Sequence, residues 1–278
     1  MTNSAAADPT GPTDPTRPAE SPEAPETPEA ALRRWRAAAQ QPDSVLIDGF
    51  HALKHTLRFG GELRLVLTSD RAALAGLAEG LAPDVAAAVL AAAVEVPAAA
   101  VRELVPRPHP TGVAALARRP DPAQALARLR ALPRRAPVVV LDNPRNLGNV
   151  GAVVRLAAGF GATGVVTTGD LDPWHPTVVR AGAGLHFATD VAHLTADQLP
   201  PGPLFVLDPQ GADIHSVRLP DEALLVFGSE RHGVSRELRS RADALLAIPM
   251  RPLVSSFNLA TSVGMGLFHW QSGHRSAG

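Results

Sequence analysis

Five short runs in the second half of the chain are apolar on both faces: "PVVVLD", "GVVTT", "LFVLD", "ALLVFG" and "ALLAIPM". A strand with one wet face alternates apolar and polar residues, whereas a strand that is dry on both faces does not, so these runs belong to a parallel sheet covered by helices on each side. Helical stretches lie between them; in "GAVVRLAAGF", Val153, Leu156, Ala157 and Phe160 recur on one face. An α/β sheet is therefore expected over residues 137–278. In such sheets ligands bind beyond the carboxyl ends of the strands, which directs attention to the loops that follow them.

The first half has a lighter version of the same alternation. From Val45 to about Val105, short strands such as "VLID" and "LRLVLTS" alternate with helical stretches such as "FHALKHTLRF" and "DVAAAVLAAA", which signals a small α/β domain. A Pro- and Arg-rich passage, "VPRPHPTGVAALARRPDP", closes it. Residues 1–27 carry prolines at 9, 12, 15, 18, 22 and 25 among Thr, Ala and Glu, too polar to bury a core, and read as a disordered acidic tail. Thr27 and Pro28 are suited to the cap and first position of a helix through "PEAALRRWRAAAQ". The expected organisation is thus a tail at 1–27, a small domain at 28–120, a basic linker at 121–136 and the large sheet at 137–278.

Cysteine is absent, which excludes disulfides, thiolate nucleophiles and thiolate metal sites. No run of 18 apolar residues occurs and the N-terminus lacks the basic-then-apolar order of a secretory signal, so a cytoplasmic protein without a membrane partner is expected. The net charge of −1 hides an asymmetry, because six acids fall within residues 1–29 and leave 25 basic against 21 acidic residues beyond them. Between Val101 and Pro137 stand Arg102, Arg107, Arg118, Arg119, Arg128, Arg130, Arg134 and Arg135, against Glu103 and Asp121. That stripe suits a phosphate backbone, or else a solvated face.

Gly159-Phe160-Gly161-Ala162-Thr163-Gly164 spells G-x-G-x-x-G, the dinucleotide fingerprint. That fingerprint works only where a strand enters the glycines and a helix leaves them. Here the order is helix, glycines, strand, so the glycines are expected to stop a helix instead.

Three strand-end loops hold polar residues. "NPRNLGNVGAVVR" clusters Asn143, Arg145, Asn146 and Asn149 before a helix that carries Arg155, with Asn149 and Arg155 expected to face one cleft unless the asparagines serve only as caps. "SERHGVS" places Ser229 and Glu230 at a strand end, with Gly228 open to a ligand and Gly233 fit for a tight turn. "RPLVSSFN" offers Ser255, Ser256 and Asn258 before a helix in which Gly264 and Gly266 would admit another backbone. Amides, hydroxyls, one acid and one arginine, with no lysine or thiol, suit a polar cofactor with an adenosine part.

"NVGAVVR", "FGSERHG" and "IPMRPLVSSFN" resemble, in order and spacing, the three motifs of the SpoU/TrmH branch of the SPOUT RNA methyltransferases. The resemblance covers about Pro137 to Trp270, and "IDGFHALKHTLRFGGELRLVLTS" is similar to the ribosomal-protein-like substrate-binding domain that precedes it in many members. It implies a ribose 2'-O-methyltransferase acting on rRNA in preference to tRNA with S-adenosylmethionine, a C-terminal trefoil knot, and a homodimer with the site between subunits. By position it implies catalytic roles for Asn149, Arg155, Glu230, Ser256 and Asn258, and main-chain contacts to the cofactor from Gly228, Ile248 and Phe257. Phe257 stands where Leu is usual. A guanidinium stays protonated, so phosphate and hydroxyl positioning is the role expected of Arg155. These intact residues favour an enzyme over an RNA-binding protein that keeps the fold without methyl transfer. His51 and His55 share a helix face, but H-E-x-x-H is absent and no third ligand is evident, so an RNA-facing or solvated face is expected there and no metal.

Overall fold

The computed structural model describes residues 27–275, so the reading of the tail falls outside the described residues except at Thr27. Thr27 caps α1 (Pro28–Ala39), its hydroxyl oxygen accepting from the Ala30 N–H at 3.3 Å, with Pro28 at the first turn. There follow β1 (Ser44–Asp48), α2 (Phe50–Arg58), β2 (Leu63–Thr68), α3 (Arg71–Leu81), α4 (Ala86–Ala92), β3 (Ala93–Glu95), α5 (Ala98–Leu104) and β4 (Val113–Arg118). The sheet runs β1-β4-β2-β3, with β4 antiparallel to both neighbours and β2 parallel to β3. The passage read as closing this domain therefore contains one of its central strands. Val113 to Ala117 are all buried, but the flanking prolines and arginines mask a run of only five apolar residues.

The second half comprises α6 (Pro122–Arg130), β5 (Val138–Asp142), α7 (Leu147–Phe160), β6 (Gly164–Thr167), α8 (Pro176–Ala181), β7 (Asp190–His193), β8 (Leu204–Asp213), β9 (Leu224–Gly228), α9 (Arg236–Ser240), β10 (Ala244–Ala247) and α10 (Leu259–Arg275). Its strands pair in the order β10-β8-β9-β5-β6-β7, every pair parallel, as the doubly apolar runs require. From β5 the chain first builds outward through β6 and β7, then fills the other side with β8, β9 and β10. The order reverses between β5 and β9, and the register pairs Asp142 with Gly228, so both strands end level at this switch point.

Gly161 ends α7 in the left-handed conformation at φ 69°, and β6 begins at Gly164. The G-x-G-x-x-G stretch is a helix stop. The segment read as a linker holds a packed helix: Asp121 caps α6, Leu129 is fully buried, and Arg128 binds Asp190 of β7 at 2.7 Å. Arg134 is buried and donates to the carbonyls of Leu129, Pro201 and Glu222. Arg118 pairs with Asp43 and Glu62, Arg119 with Asp172, and Arg130 donates to the Gln198 carbonyl. Five of the stripe's eight arginines thus serve internal contacts, which assigns most of it to structure.

The two sheets meet at α8 and the turn after it. Arg180 pairs with Asp48 at 2.8 Å, and the His55 ring donates from Nδ1 to the Ala183 carbonyl at 2.8 Å.

Candidate active site

The loops after β5, β9 and β10 converge at the switch point. Asn146 caps α7 by accepting from the Asn149 N–H at 3.0 Å, so the capping reading holds for Asn146 and frees the Asn149 side chain. Asn149 Nδ2 donates to Glu230 Oε1 at 2.7 Å, and Asn149 Oδ1 accepts from Asn258 Nδ2 at 3.1 Å. Asn258 Oδ1 in turn accepts from the Ala260 and Thr261 N–H groups and caps α10. Each amide uses both ends, so the orientation of one side chain sets the next, across three loops.

Asp142, an acid that the sequence reading passed over, holds the second loop to the first. Its buried carboxylate accepts from the Thr168 hydroxyl at 2.8 Å and from the Ser235 N–H at 2.6 Å. Gly228 has a different reason from the one expected. A Cβ there would lie 1.9 Å from the Gly233 carbonyl carbon and 2.2 Å from the Val234 nitrogen, so the close approach is made by the chain's own turn. Gly233 does adopt φ 65°, the tight turn expected of it. Gly264 and Gly266 also face side chains, Leu156 and Phe227, and not another backbone.

A cavity of about 600 Å³ opens beside this cluster. Gly228, Glu230, Ile248, Ser256, Phe257 and Asn258 line it, together with Phe227, Leu246 and Leu259 as an apolar floor. The peptide groups of Ser255, Ser256 and Phe257 make no hydrogen bond within the described residues, which leaves a row of main-chain donors and acceptors beside the cavity. Arg231 and Asp208 also line it, and neither was singled out in the sequence. Asp208 is paired with Arg239 and accepts from the Gln210 N–H, whereas Arg231 is exposed at the rim.

Arg155 is the residue the structure sets apart. Six residues at about 100° each place it roughly 120° around α7 from Asn149. It is exposed, lines no part of this cavity, and its positive charge acts on His51 of α2. The shared cleft expected for Asn149 and Arg155 is not formed in the structure. A separate cavity of about 650 Å³ between α6 and β7, lined by Arg119, Trp174 and His193, gathers none of the three loops' residues. Among the described residues, no group of three or more His, Asp or Glu side chains could hold a metal ion, and no helix is long and apolar enough to cross a membrane.

The sequence and the fold resemble those of known proteins. Residues 136–268 match the SpoU rRNA Methylase family. That match spans just under half of the chain, its second sheet included. A 23S rRNA (adenosine(1067)-2'-O)-methyltransferase of Streptomyces laurentii is 29% identical over 246 residues, covering 81% of this chain and 84% of that protein. Other curated relatives are spanned over only about half their own length. Two solved structures share the fold: the SpoU methyltransferase AviRb from Streptomyces viridochromogenes in complex with AdoMet (TM-score 0.71, 21% identity, 89% of this chain and 98% of that one) and an AdoMet-bound rRNA methyltransferase from Sinorhizobium meliloti (TM-score 0.69, 23% identity, 87% and 94%). The family's matched region runs from just before β5 into α10, and so contains all three converging loops and the cavity they frame.

Proposed function

We propose that this chain is an RNA ribose 2'-O-methyltransferase that uses S-adenosylmethionine and acts on ribosomal RNA. One observation carries the reading: Asn149, Glu230 and Asn258, from three separate loops, are hydrogen-bonded into one row at the edge of the cavity. The family match over residues 136–268 and the names of the relatives support it.

The residues present fit the cofactor. The apolar floor suits an adenine ring, and the unpaired peptide groups at 255–257 suit the polar atoms of a nucleoside and an amino acid. Gly228, Ile248 and Phe257 would hold it by main-chain contacts, and Phe257 in place of the usual Leu leaves those contacts unchanged. When bound, S-adenosylmethionine supplies a methyl group on a positively charged sulfur, an electrophile that needs an oxygen nucleophile delivered in line. Glu230 spends Oε1 on Asn149 and keeps Oε2 to accept from a ribose hydroxyl. Asn149 and Asn258 hold that carboxylate in one orientation, and Ser256 adds a hydroxyl at the cavity wall. Arg155 would position the hydroxyl and its flanking phosphate through a planar fork of donors, without giving up its own proton.

Arg155 reaches a cavity only if a second subunit sets its α7 beside the first subunit's loops, which is the reason to propose a homodimer. Exposed apolar residues supply a surface for it: Leu253 and Val254 lie on the loop before α10, Met265 and Phe268 on α10 itself, and Leu253 is held at φ 72° with its side chain wholly in solvent. The trefoil knot belongs to the same proposal, with α10 returning from the edge strand β10 to pack on α7 and β9. A cytoplasmic site of action belongs to the same proposal.

The reading is tested by calorimetry with S-adenosylmethionine and by tritiated methyl transfer to total RNA from a strain lacking the gene. Saturable binding with transfer to ribosomal RNA is expected. Binding without transfer would favour an RNA-binding protein that retains the fold, and no binding would end the proposal.

A further inference from the structure

The direction in which Glu230 points is set from two strands away. The segment that carries it leaves β9 at Gly228 and closes on itself at once, since the Ser229 and Gly233 N–H groups each donate to the other's carbonyl at 3.0 Å. The His232 N–H adds a bond to the Ser229 hydroxyl at 3.3 Å. A loop bonded to itself moves as one piece, so its direction depends on where it is tied to the rest of the molecule. One tie is β9. The other is the Ser235 N–H, which donates to Asp142 Oδ2 at 2.6 Å.

Asp142 is tied in turn by Thr168, the residue that follows β6. The Thr168 hydroxyl donates to Asp142 Oδ1 at 2.8 Å, and its oxygen accepts from the Asn143 N–H at 3.0 Å. Thr168 and Asp142 are both buried. No arginine or lysine pairs with Asp142 among the described residues. A buried carboxylate without a counter-charge is unfavourable unless its hydrogen bonds compensate, and what it supplies here is two acceptors and no donor. Both groups that face it are donors, so an amide would set a donor against one of them. The sheet does not require these bonds, because β5 pairs with β6 and β9 through its main chain. What they join is three strand-end loops.

We propose that Thr168 and Asp142 are positioning residues for methyl transfer, orienting the 229–235 segment so that Glu230 meets Asn149. The inference rests on the methyltransferase reading and deepens it. Glu230 Oε1 lies 2.7 Å from Asn149 Nδ2, and a hydrogen bond of this kind is lost once its partners separate by about another 0.5 Å. A small swing of the segment about the end of β9 therefore frees the carboxylate. Gly228 belongs to β9 and stays in place, so the main-chain contact to the cofactor expected of it survives the swing. Turnover is the quantity that suffers.

The test compares Thr168→Val, Thr168→Ser and Asp142→Asn in the full chain. Valine keeps the shape of threonine without the hydroxyl, and serine keeps the hydroxyl without the methyl, so both are expected to lower the urea midpoint by similar amounts. Methyl transfer to ribosomal RNA should have its kcat reduced about tenfold or more in Thr168→Val and Asp142→Asn, and stay within about twofold of wild type in Thr168→Ser. KM and calorimetric S-adenosylmethionine affinity should remain within about threefold throughout. A second readout needs no catalysis: the side-chain amide protons of Asn149, identified in proton–nitrogen correlation spectra by their absence in Asn149→Ala. The hydrogen-bonded proton should shift toward the position of a free amide in Thr168→Val and Asp142→Asn, and hold its position in Thr168→Ser. Should Asp142→Asn fail to fold, the two Thr168 variants decide alone. Equal loss of turnover in Thr168→Val and Thr168→Ser, or an Asn149 resonance that moves in neither Thr168→Val nor Asp142→Asn, overturns the positioning role and leaves the methyltransferase reading intact. A wild type that transfers no methyl group overturns both.

Discussion

Asn149 shows how little side chain is needed to hold a site together. It is half-buried at the first turn of α7, yet its two hydrogen bonds set the carboxylate of Glu230 and the amide of Asn258. Asn149→Ala is expected to lower methyl transfer about 100-fold, because positioned hydrogen-bonding groups are worth that much in a transition state. It should cost folding stability no more than about 1 kcal/mol, because Asn146 still caps the helix and both orphaned groups reach water. Transfer assays beside urea unfolding would check the pair of outcomes, and unchanged turnover would remove Asn149 from the mechanism. His186 tests a different property of single residues. Burial pushes its imidazole down to about 4, only partly offset by the hydrogen bond to the Pro173 carbonyl. The unfolded chain takes up a proton near pH 6.5 that the folded chain refuses until about pH 4. Stability is therefore intact above pH 6.5 and falls as pH drops through that window, by about 3 kcal/mol in all. In His186→Leu the plateau will differ but that part of the pH slope should vanish; an identical slope would show that other groups carry it.

At the scale of elements, glycine separates what is legible in a sequence from what is not. Gly151 and Gly159 lie two turns apart on α7, and nothing in the sequence distinguishes them. Gly151 has Ala181 and the backbone of residues 178–182 against its Cα, whereas Gly159 has nothing within 4 Å. Gly151→Ala should destabilise by about 2 kcal/mol, as overpacking does, and loosen the α7–α8 contact. Gly159→Ala should stabilise by up to about 1 kcal/mol, because alanine is the better helix former and has open space there. Urea midpoints would rank the two, and the opposite order would contradict the packing. The same logic explains the rest of the reading. The central strands announce themselves because both faces are dry, so β5, β6 and β9 stand out, and the G-x-G-x-x-G stretch could be dismissed from element order alone. β4 and α6 did not stand out, because what makes them structural is distant in sequence: β1 and β2 on either side of β4, and Asp190 opposite Arg128. Of the site, the loops were legible as strand ends, and their motifs carried most of the lining residues. Asp142, Asp208 and Arg231 were not, since only the folded chain shows which loop each one faces.

At the scale of the whole molecule, Arg155 stands apart from the cavity that it is proposed to serve. Either its role is confined to docking RNA on its own subunit, or the working site is shared. A shared site needs a stable dimer, and the exposed apolar residues of α10 and its preceding loop are where one would form. On the proposal of a homodimer, wild type should sediment as a dimer and Phe268→Glu with Met265→Glu as a monomer, with S-adenosylmethionine affinity reduced less than methyl transfer. A mixture of two dead variants then separates the alternatives. In a heterodimer of Arg155→Ala and Glu230→Ala subunits, a shared arrangement gives one site an intact Arg155 and an intact Glu230, while the other site lacks both. Random pairing makes half the dimers mixed, so refolding the two variants together should restore about one quarter of wild-type transfer. If Arg155 serves its own subunit's cavity, each site in every dimer lacks one group and the mixture stays as inactive as its parts. Recovery near one quarter would place the two residues on opposite sides of the interface, and its absence would refute the shared site even if the protein sediments as a dimer.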